Sequence, residues 1–272
     1  MRLLRSNLRK LVRRPATWVT FILLVGLLLL ILLAVVVGSQ EARNPQAALG
    51  ARLFVTFPGA YELILAMVLG IGGLLAVLYG AAIAGSEWAW GTLKAAVARG
   101  ESRARYTIAG FVGVAIFAII GLVLAFLVGV AGAAVGATVI GVSLDGMGDA
   151  DTLGRMPELF ARAGLGVSMN VAFGYAIATI ARSQLAGIGV GIGLYFAEGI
   201  AGIFLPDVMK WFPFASSSAV VSIADGAAAV MGGGGGIGAT LDPNTAVLAT
   251  LAWLVASVLV ASLWTERAEI GG

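Results

Sequence analysis

The sequence predicts an all-α integral membrane protein with six membrane-spanning helices. Hydrophobic residues make up 60% of the 272 positions and charged residues only 11%, and the mean hydropathy is +1.01. A soluble globule carries roughly a quarter charged residues. The apolar runs are long enough for helices that cross a hydrocarbon core, which takes about 20 residues, and they lack the alternation of barrel strands. We therefore expect one transmembrane domain, 1–272.

The first 15 residues predict an amphipathic helix on the membrane surface. Leu4, Leu8 and Leu11 recur at helical spacing, whereas the arginines of this segment fall on another face. Such a helix lies with its apolar side in the bilayer interface. A basic anchor without defined structure is the alternative.

Six apolar stretches follow this segment, and each is long enough to span a bilayer as a helix. Their predicted bounds are about 16–38, 60–84, 106–131, 158–181, 185–205 and 245–264.

The basic residues divide unevenly between the two sides that six spans define. One side carries Arg2, Arg5, Arg9, Lys10, Arg13, Arg14, Lys94, Arg99, Arg103, Arg105, Arg182 and Arg267. The other side carries Arg43, Arg52, Arg155, Arg162 and Lys210. Because Lys and Arg accumulate in cytoplasmic loops, we predict that both termini are cytoplasmic.

The connections between the spans differ greatly in length. Only the few residues around Arg182 join spans four and five, which predicts a tight antiparallel hairpin. Spans five and six are joined by the long segment 206–244, which contains the glycine run Gly232–Gly236. We expect this partly apolar segment to form short helices that re-enter the outer leaflet, with the glycines as a flexible return.

A polar stretch between spans two and three predicts a short helix over 86–100. Trp90, Leu93 and Val97 recur at i, i+3 and i+7, which predicts one apolar face, and the helix should end near Arg99-Gly100. This helix could receive a soluble partner. The alternative is an ordinary interfacial loop whose tryptophans lie at the membrane boundary.

The same stretch resembles the cytoplasmic signature of ABC-2 type permeases, the membrane subunits of ABC exporters. The resemblance rests on Glu87, Gly91-Thr92-Leu93, Arg99 and Ser102-Arg103. It extends to the basic N-terminal helix, the six spans and the outer segment that begins Trp211-Phe212-Pro213-Phe214. Gly100 departs from it, since a proline-containing turn is expected there.

The resemblance implies a coupling helix that binds a separate ABC ATPase subunit. Its coupling residues would be Glu87, Trp90, Gly91, Thr92, Leu93, Arg99 and Arg103. ATP and Mg would be bound by the ATPase, and this chain would need no cofactor of its own. A second copy or a related permease would complete an exporter in a bacterial or archaeal cell membrane. The chain has no Gly-x-x-x-x-Gly-Lys-Ser/Thr sequence, and we expect it not to be an enzyme.

Polar and small residues within the spans are further candidates for function. Glu198 in span five is costly to place in a bilayer, so it predicts either a structural hydrogen bond between helices or a contact with substrate. Asn170 in span four is a weaker candidate for the same roles. Gly187 and Gly191 predict close helix packing, within one subunit or at a homodimer seam.

The absence of His and Cys excludes the commonest metal ligands and general bases. We expect no metal site, no catalytic residues and no nucleic-acid binding. Asp145, Asp149 and Asp151 predict a solvated acidic loop, although three oxygen ligands could also hold a hard cation such as Ca²⁺.

Three functions are compatible with these features. The first is the permease subunit of an ATP-driven exporter of a hydrophobic or amphipathic substrate. The second is an ATP-independent transporter of a small ion or solute that uses Glu198 as its coupling acid. The third is a membrane scaffold that transports nothing. The short, basic helix predicted over 86–100 favours the first function, because it could receive an ATPase. The scarcity of charged residues within the spans disfavours the second.

Overall fold

The structure is a computed structural model, and it describes residues 2–41, 50, 52–221 and 240–268. All regular structure in these ranges is helical. The α-helices are α1 (Arg2–Arg13), α2 (Pro15–Glu41), α3 (Gly59–Ala89), α4 (Thr92–Ala98), α5 (Arg103–Val139), α6 (Ala150–Ala181), α7 (Gln184–Phe204), α8 (Pro206–Met209), α9 (Pro213–Ser218) and α10 (Pro243–Arg267). A 3-10 helix, Asp145–Gly148, precedes α6.

Six of these helices, α2, α3, α5, α6, α7 and α10, are long and apolar enough to cross a membrane. They are spans 1 to 6, and they make the chain an all-α, multi-pass membrane protein. Several extend well beyond the predicted bounds. Span 3 has 37 residues, a length of about 55 Å, because its helix continues beyond the predicted end at 131 through the small and apolar residues 132–139.

Span 4 begins earlier than predicted, at Ala150 rather than near 158. Asp149 caps it by accepting hydrogen bonds from Thr152 N at 2.9 Å and Thr152 Oγ1 at 2.5 Å. Pro157 therefore lies inside the helix.

Spans 2 and 4 form the centre of the bundle. Within their most apolar windows, 78% and 72% of residues are buried, against 17–33% in the other four spans. Two glycines bring the central backbones together. A Cβ atom on Gly80 would lie 2.3 Å from the carbonyl oxygen of Val171, and one on Gly174 would lie 2.0 Å from that of Val77. Only glycine fits such a crossing.

The chain passes back and forth so that α1, α4 and the turn at Arg182 lie at one end of the bundle, which we call the basic end. There Arg103, at the start of span 3, donates to the carbonyl oxygen of Ala268 at 2.7 Å, beyond the end of span 6. At the opposite end, Tyr61 of span 2 donates to the carbonyl oxygen of Met147 at 2.7 Å. The first described helix and the end of the last one thus lie at the same end of the bundle.

The segment after span 5 starts with α8 and α9. The second of these is tucked into the bundle, where Phe214, Ser216 and Ser217 are buried. The glycine run Gly232–Gly236 and Arg43 lie outside the described residues.

Candidate functional site

Glu87, in the last turn of span 2, connects four elements at the basic end. Its carboxylate accepts hydrogen bonds from Arg14 between α1 and α2, from Thr92 of α4 and from Tyr106 of span 3. Lys10 of α1 lies 3.8 Å from the carboxylate and donates to the Tyr106 hydroxyl at 3.1 Å. We call these five residues the Glu87 network. Every polar atom of the carboxylate is satisfied from inside the protein.

Arg14 is the main partner of Glu87 and is itself buried, with 9% of its surface exposed. Its guanidinium also donates to Ser86 Oγ at 2.8 Å and lies 5.0 Å from the centre of the Trp90 ring. An unpaired charge in such a position would be strongly destabilising. The network therefore fixes where the N-terminal helix meets span 2.

The bend between α1 and span 1 is fixed by side chains that cap the last carbonyl groups of α1. Thr17 Oγ1 donates to Leu11 O at 2.8 Å, and Trp18 Nε1 donates to Val12 O at 2.8 Å. The Thr17 hydroxyl also lies 3.0 Å from the Tyr79 hydroxyl of span 2. Because the carbonyls that end a helix otherwise lack partners, these bonds give the bend a defined geometry.

The helix α4 begins and ends at glycines with left-handed backbones. Gly91 has a φ of 63° and Gly100 a φ of 85°, and Gly100 N and Glu101 N donate back to Val97 O and Ala96 O at 2.9 and 3.2 Å. This pattern of backbone bonds closes a helix and favours glycine at its end. Gly100 therefore fits the turn in which a proline was expected.

One side of α4 is packed inside the protein. Leu93 and Ala96 form a buried cluster with Tyr106, against which Leu3, Trp88 and Val97 pack. The other side is open, with Lys94, Ala95, Ala98 and Arg99 exposed. Two alanines between two cations make a shallow, basic surface, which we call the α4 surface.

The predicted helix over 86–100 is wrong in its extent and in its faces. The helix of span 2 continues to Ala89 and α4 contains only Thr92–Ala98, because the left-handed turn at Gly91 separates the two. Trp90 precedes this turn, is 66% exposed, and does not share a face with the buried Leu93.

The residues predicted to couple to an ATPase thus occupy different positions. Trp90 and Arg99 are exposed, whereas Glu87 and Leu93 face inwards. Gly91 and Thr92 form the start of α4, where Thr92 Oγ1 also donates to Glu87 O at 3.1 Å. Arg103 binds carbonyl groups at the end of span 6. Sequence reasoning missed Lys10, Arg14 and Tyr106 as partners of Glu87; the only signal was that Arg14 directly precedes Pro15 and span 1.

Glu198 is buried against the helix α9. Its two carboxylate oxygens accept from the backbone N–H groups of Phe214 at 3.3 Å and Ala215 at 2.5 Å. Of the two predicted roles, this geometry is that of a structural hydrogen bond between segments. Asn170 of span 4 is also buried, and it accepts a hydrogen bond from Ser217 Oγ of α9 at 3.3 Å.

Gly187 and Gly191 pack within the chain. A Cβ atom on Gly187 would lie 2.5 Å from the Cβ of Ala178 in span 4, and one on Gly191 would lie 2.7 Å from Val77 Cγ1 in span 2. Gly189 and Gly193, on the other side of span 5, have no described atom within 4 Å of such a position.

The acidic loop has a structural part in the fold. Asp149 caps span 4, and the hydrogen bonds from the Thr152 hydroxyl and backbone hold the pKa of its carboxyl below the usual range. Among the described residues, no three acidic side chains are grouped closely enough to hold a metal ion.

The sequence profile of one protein family matches residues 54–265, from just before span 2 almost to the end of span 6. That family is described as "Protein of unknown function (DUF2705)", and the chain belongs to it. The match includes Glu87, Thr92 and Tyr106 but not α1, Lys10 or Arg14. No curated protein matches the chain.

Proposed function

We propose that this member of the DUF2705 family is the membrane subunit of an ATP-driven exporter of the ABC-2 type. A separate ATPase subunit would bind the α4 surface together with Trp90. ATP and Mg would be held by that subunit, and this chain would move a hydrophobic or amphipathic substrate outward. Six apolar spans and the sequence resemblance around α4 support this proposal.

The Glu87 network is the observation that carries the proposal. A displacement of α4 is passed through Thr92 to Glu87, and from Glu87 to Arg14 and Tyr106. Through these contacts, α4 is connected to the start of span 1, the end of span 2 and the start of span 3. Because buried charged hydrogen bonds are stiff and costly to break, α4 and these three spans would move together.

The exposed and the buried residues would then have different roles. Trp90, Lys94, Ala95, Ala98 and Arg99 would contact the ATPase, while Glu87 would not touch it and would transmit the motion instead. This arrangement differs from the one that the resemblance implies, in which Glu87 belongs to the docking residues themselves.

A second permease subunit completes the proposed exporter. Since span 2 is largely covered within one chain, the second subunit would pack mainly on the side of span 5 that faces away from the bundle. Gly189 and Gly193 leave room on that side for a close approach.

The alternative of an ATP-independent transporter has less support. Both carboxylate oxygens of Glu198 already accept backbone hydrogen bonds, so a coupling ion would have to compete with α9 for them. A scaffold that transports nothing would not require the contacts that join α4 to three spans.

The experiment that tests the proposal is purification of the full chain, tagged at its C-terminus, from its native membrane in mild detergent. We expect a stoichiometric protein with a P-loop, identified by mass spectrometry, and ATP hydrolysis by the complex. Ala95→Trp with Ala98→Trp should block this association, because two large side chains would disrupt a shallow surface. The matched control is Ala150→Trp, an exposed alanine at the opposite end.

Repeated purification without any P-loop protein would overturn the proposal. Association that survives the double substitution would retain the exporter but move its docking surface away from α4.

A further inference from the structure

The cations of α1 and its bend are divided between two sides of the helix. Lys10 and Arg14 face the bundle and belong to the Glu87 network. Arg5, Arg9 and Arg13 are exposed and make no hydrogen bond or ion pair with any residue that the structure describes. They recur at i, i+4 and i+8, so they form one continuous stripe.

The orientation of this stripe is fixed by packing. Asn7 and Leu11 are buried on the opposite side of α1, where a Cβ atom on Gly113 of span 3 would lie 3.6 Å from Asn7 Cβ and 3.3 Å from Leu11 Cδ1. The capped bend at Thr17 and Trp18 holds α1 against span 1. The arginines are therefore presented outward by a rigid helix.

Arg13, at one end of the stripe, lies close to the level at which span 1 enters the bilayer. Only Arg14 separates Arg13 from Pro15, the first residue of that span. Exposed Val12 and Trp18 flank the bend, and tryptophan is typical of the boundary between headgroups and hydrocarbon. Arginine side chains at this level reach the phosphate layer.

An anionic partner would relieve charge repulsion within the stripe. Like charges at i, i+4 spacing repel one another and destabilise a helix. Guanidinium groups match phosphate oxygens in a bidentate geometry. No described carboxylate pairs with these three arginines.

We propose that Arg5, Arg9 and Arg13 form a binding site for the phosphate groups of anionic phospholipids in the bilayer that the chain spans. The site sets the lipid environment of α1, and it does not depend on whether an ATPase binds the α4 surface.

The test is native mass spectrometry of the purified full chain released from mixed vesicles of phosphatidylglycerol and phosphatidylcholine. We expect phosphatidylglycerol to be retained in preference to phosphatidylcholine. Each basic residue near the surface contributes about a fivefold preference, so Arg5→Gln, Arg9→Gln and Arg13→Gln together should reduce the preference by on the order of 100-fold. Lysines at the same positions should restore most of it, because they keep the charge.

The matched control removes three exposed cations from the same end of the protein, by Lys94→Gln, Arg99→Gln and Arg105→Gln. Its lipid preference should fall much less than that of the stripe variant, because Lys94 lies on α4, Arg99 directly follows α4 and only Arg105 lies at the start of a span. Melting curves of all variants establish that they are folded. An equal loss in both triple variants would show a general effect of charge and overturn the site. An unchanged preference in the stripe variant would overturn it too, and would leave an acidic protein surface as the partner of these arginines.

Discussion

Arg14 and Glu87 lie 73 positions apart in the sequence and form a hydrogen-bonded ion pair inside the basic end of the bundle. The side chains are only 10% and 13% exposed. This pair joins the bend before span 1 to the last turn of span 2. It makes the N-terminal helix part of the structural core at this end.

Arg14→Met should therefore lower the free energy of unfolding by about 3 kcal/mol, because it leaves the Glu87 carboxylate buried without its main counter-charge. Titration with a denaturing detergent, followed by circular dichroism, measures this loss. The control is Arg155→Met at the opposite end. Its pair with Glu62 is 3.8 Å long and the arginine is 61% exposed, so its removal should cost less than about 1 kcal/mol. Similar losses in the two variants would show that Arg14 and Glu87 are not paired as described.

Tyr106→Phe tests the hydroxyl that links span 3 to the same carboxylate. Removing a hydrogen bond to a charged group should cost about 2 kcal/mol, and it also removes the acceptor of Lys10. Tyr175→Phe is the matched control, since this buried tyrosine hydroxyl makes no hydrogen bond with a described residue. The same denaturing titration compares them. If both variants were as stable as the parent chain, Tyr106 would not belong to the network.

The crossing of spans 2 and 4 gives a third prediction. Gly80→Ala places a methyl group 2.3 Å from the carbonyl oxygen of Val171, so the two helices must move apart, at a cost of at least about 2 kcal/mol. Gly189→Ala meets no described atom within 4 Å and should be neutral or stabilising by up to about 1 kcal/mol, because alanine favours a helix.

Thermal unfolding in detergent measures the stability of both glycine variants. Cross-linking in the membrane tests separately whether span 5 contacts a second copy of the chain. A stable Gly80→Ala protein would contradict the close approach of the two central helices.

The features that sequence could predict here are those set by local composition. The six spans follow from apolar runs, and α1 follows from the spacing of its leucines and arginines. The role of Glu87 could not be predicted, because its main partner is distant in sequence and no local pattern marks it. The same holds for Gly80 and Gly174. Among 39 glycines, nothing in the sequence distinguishes those at which two backbones touch.

The last prediction concerns Glu198 and separates its two possible roles. Glu198→Ala removes the acceptors of Phe214 N and Ala215 N. Leaving a buried N–H donor without its acceptor costs about 1–3 kcal/mol, so hydrogen exchange at these two amides should become about 5- to 100-fold faster. Mass spectrometry after deuterium labelling measures this change. Glu198→Gln should have a smaller effect, since it retains one carbonyl oxygen as an acceptor.

Glu62→Ala is the control for Glu198→Ala, because it removes another acid from a span without touching α9. It should leave the exchange of Phe214 and Ala215 unchanged. Faster exchange in Glu198→Ala alone would assign the carboxylate to holding α9 in the bundle. Unchanged exchange combined with loss of ion-coupled uptake would instead assign it to a transport pathway, and would favour the ATP-independent transporter over the exporter.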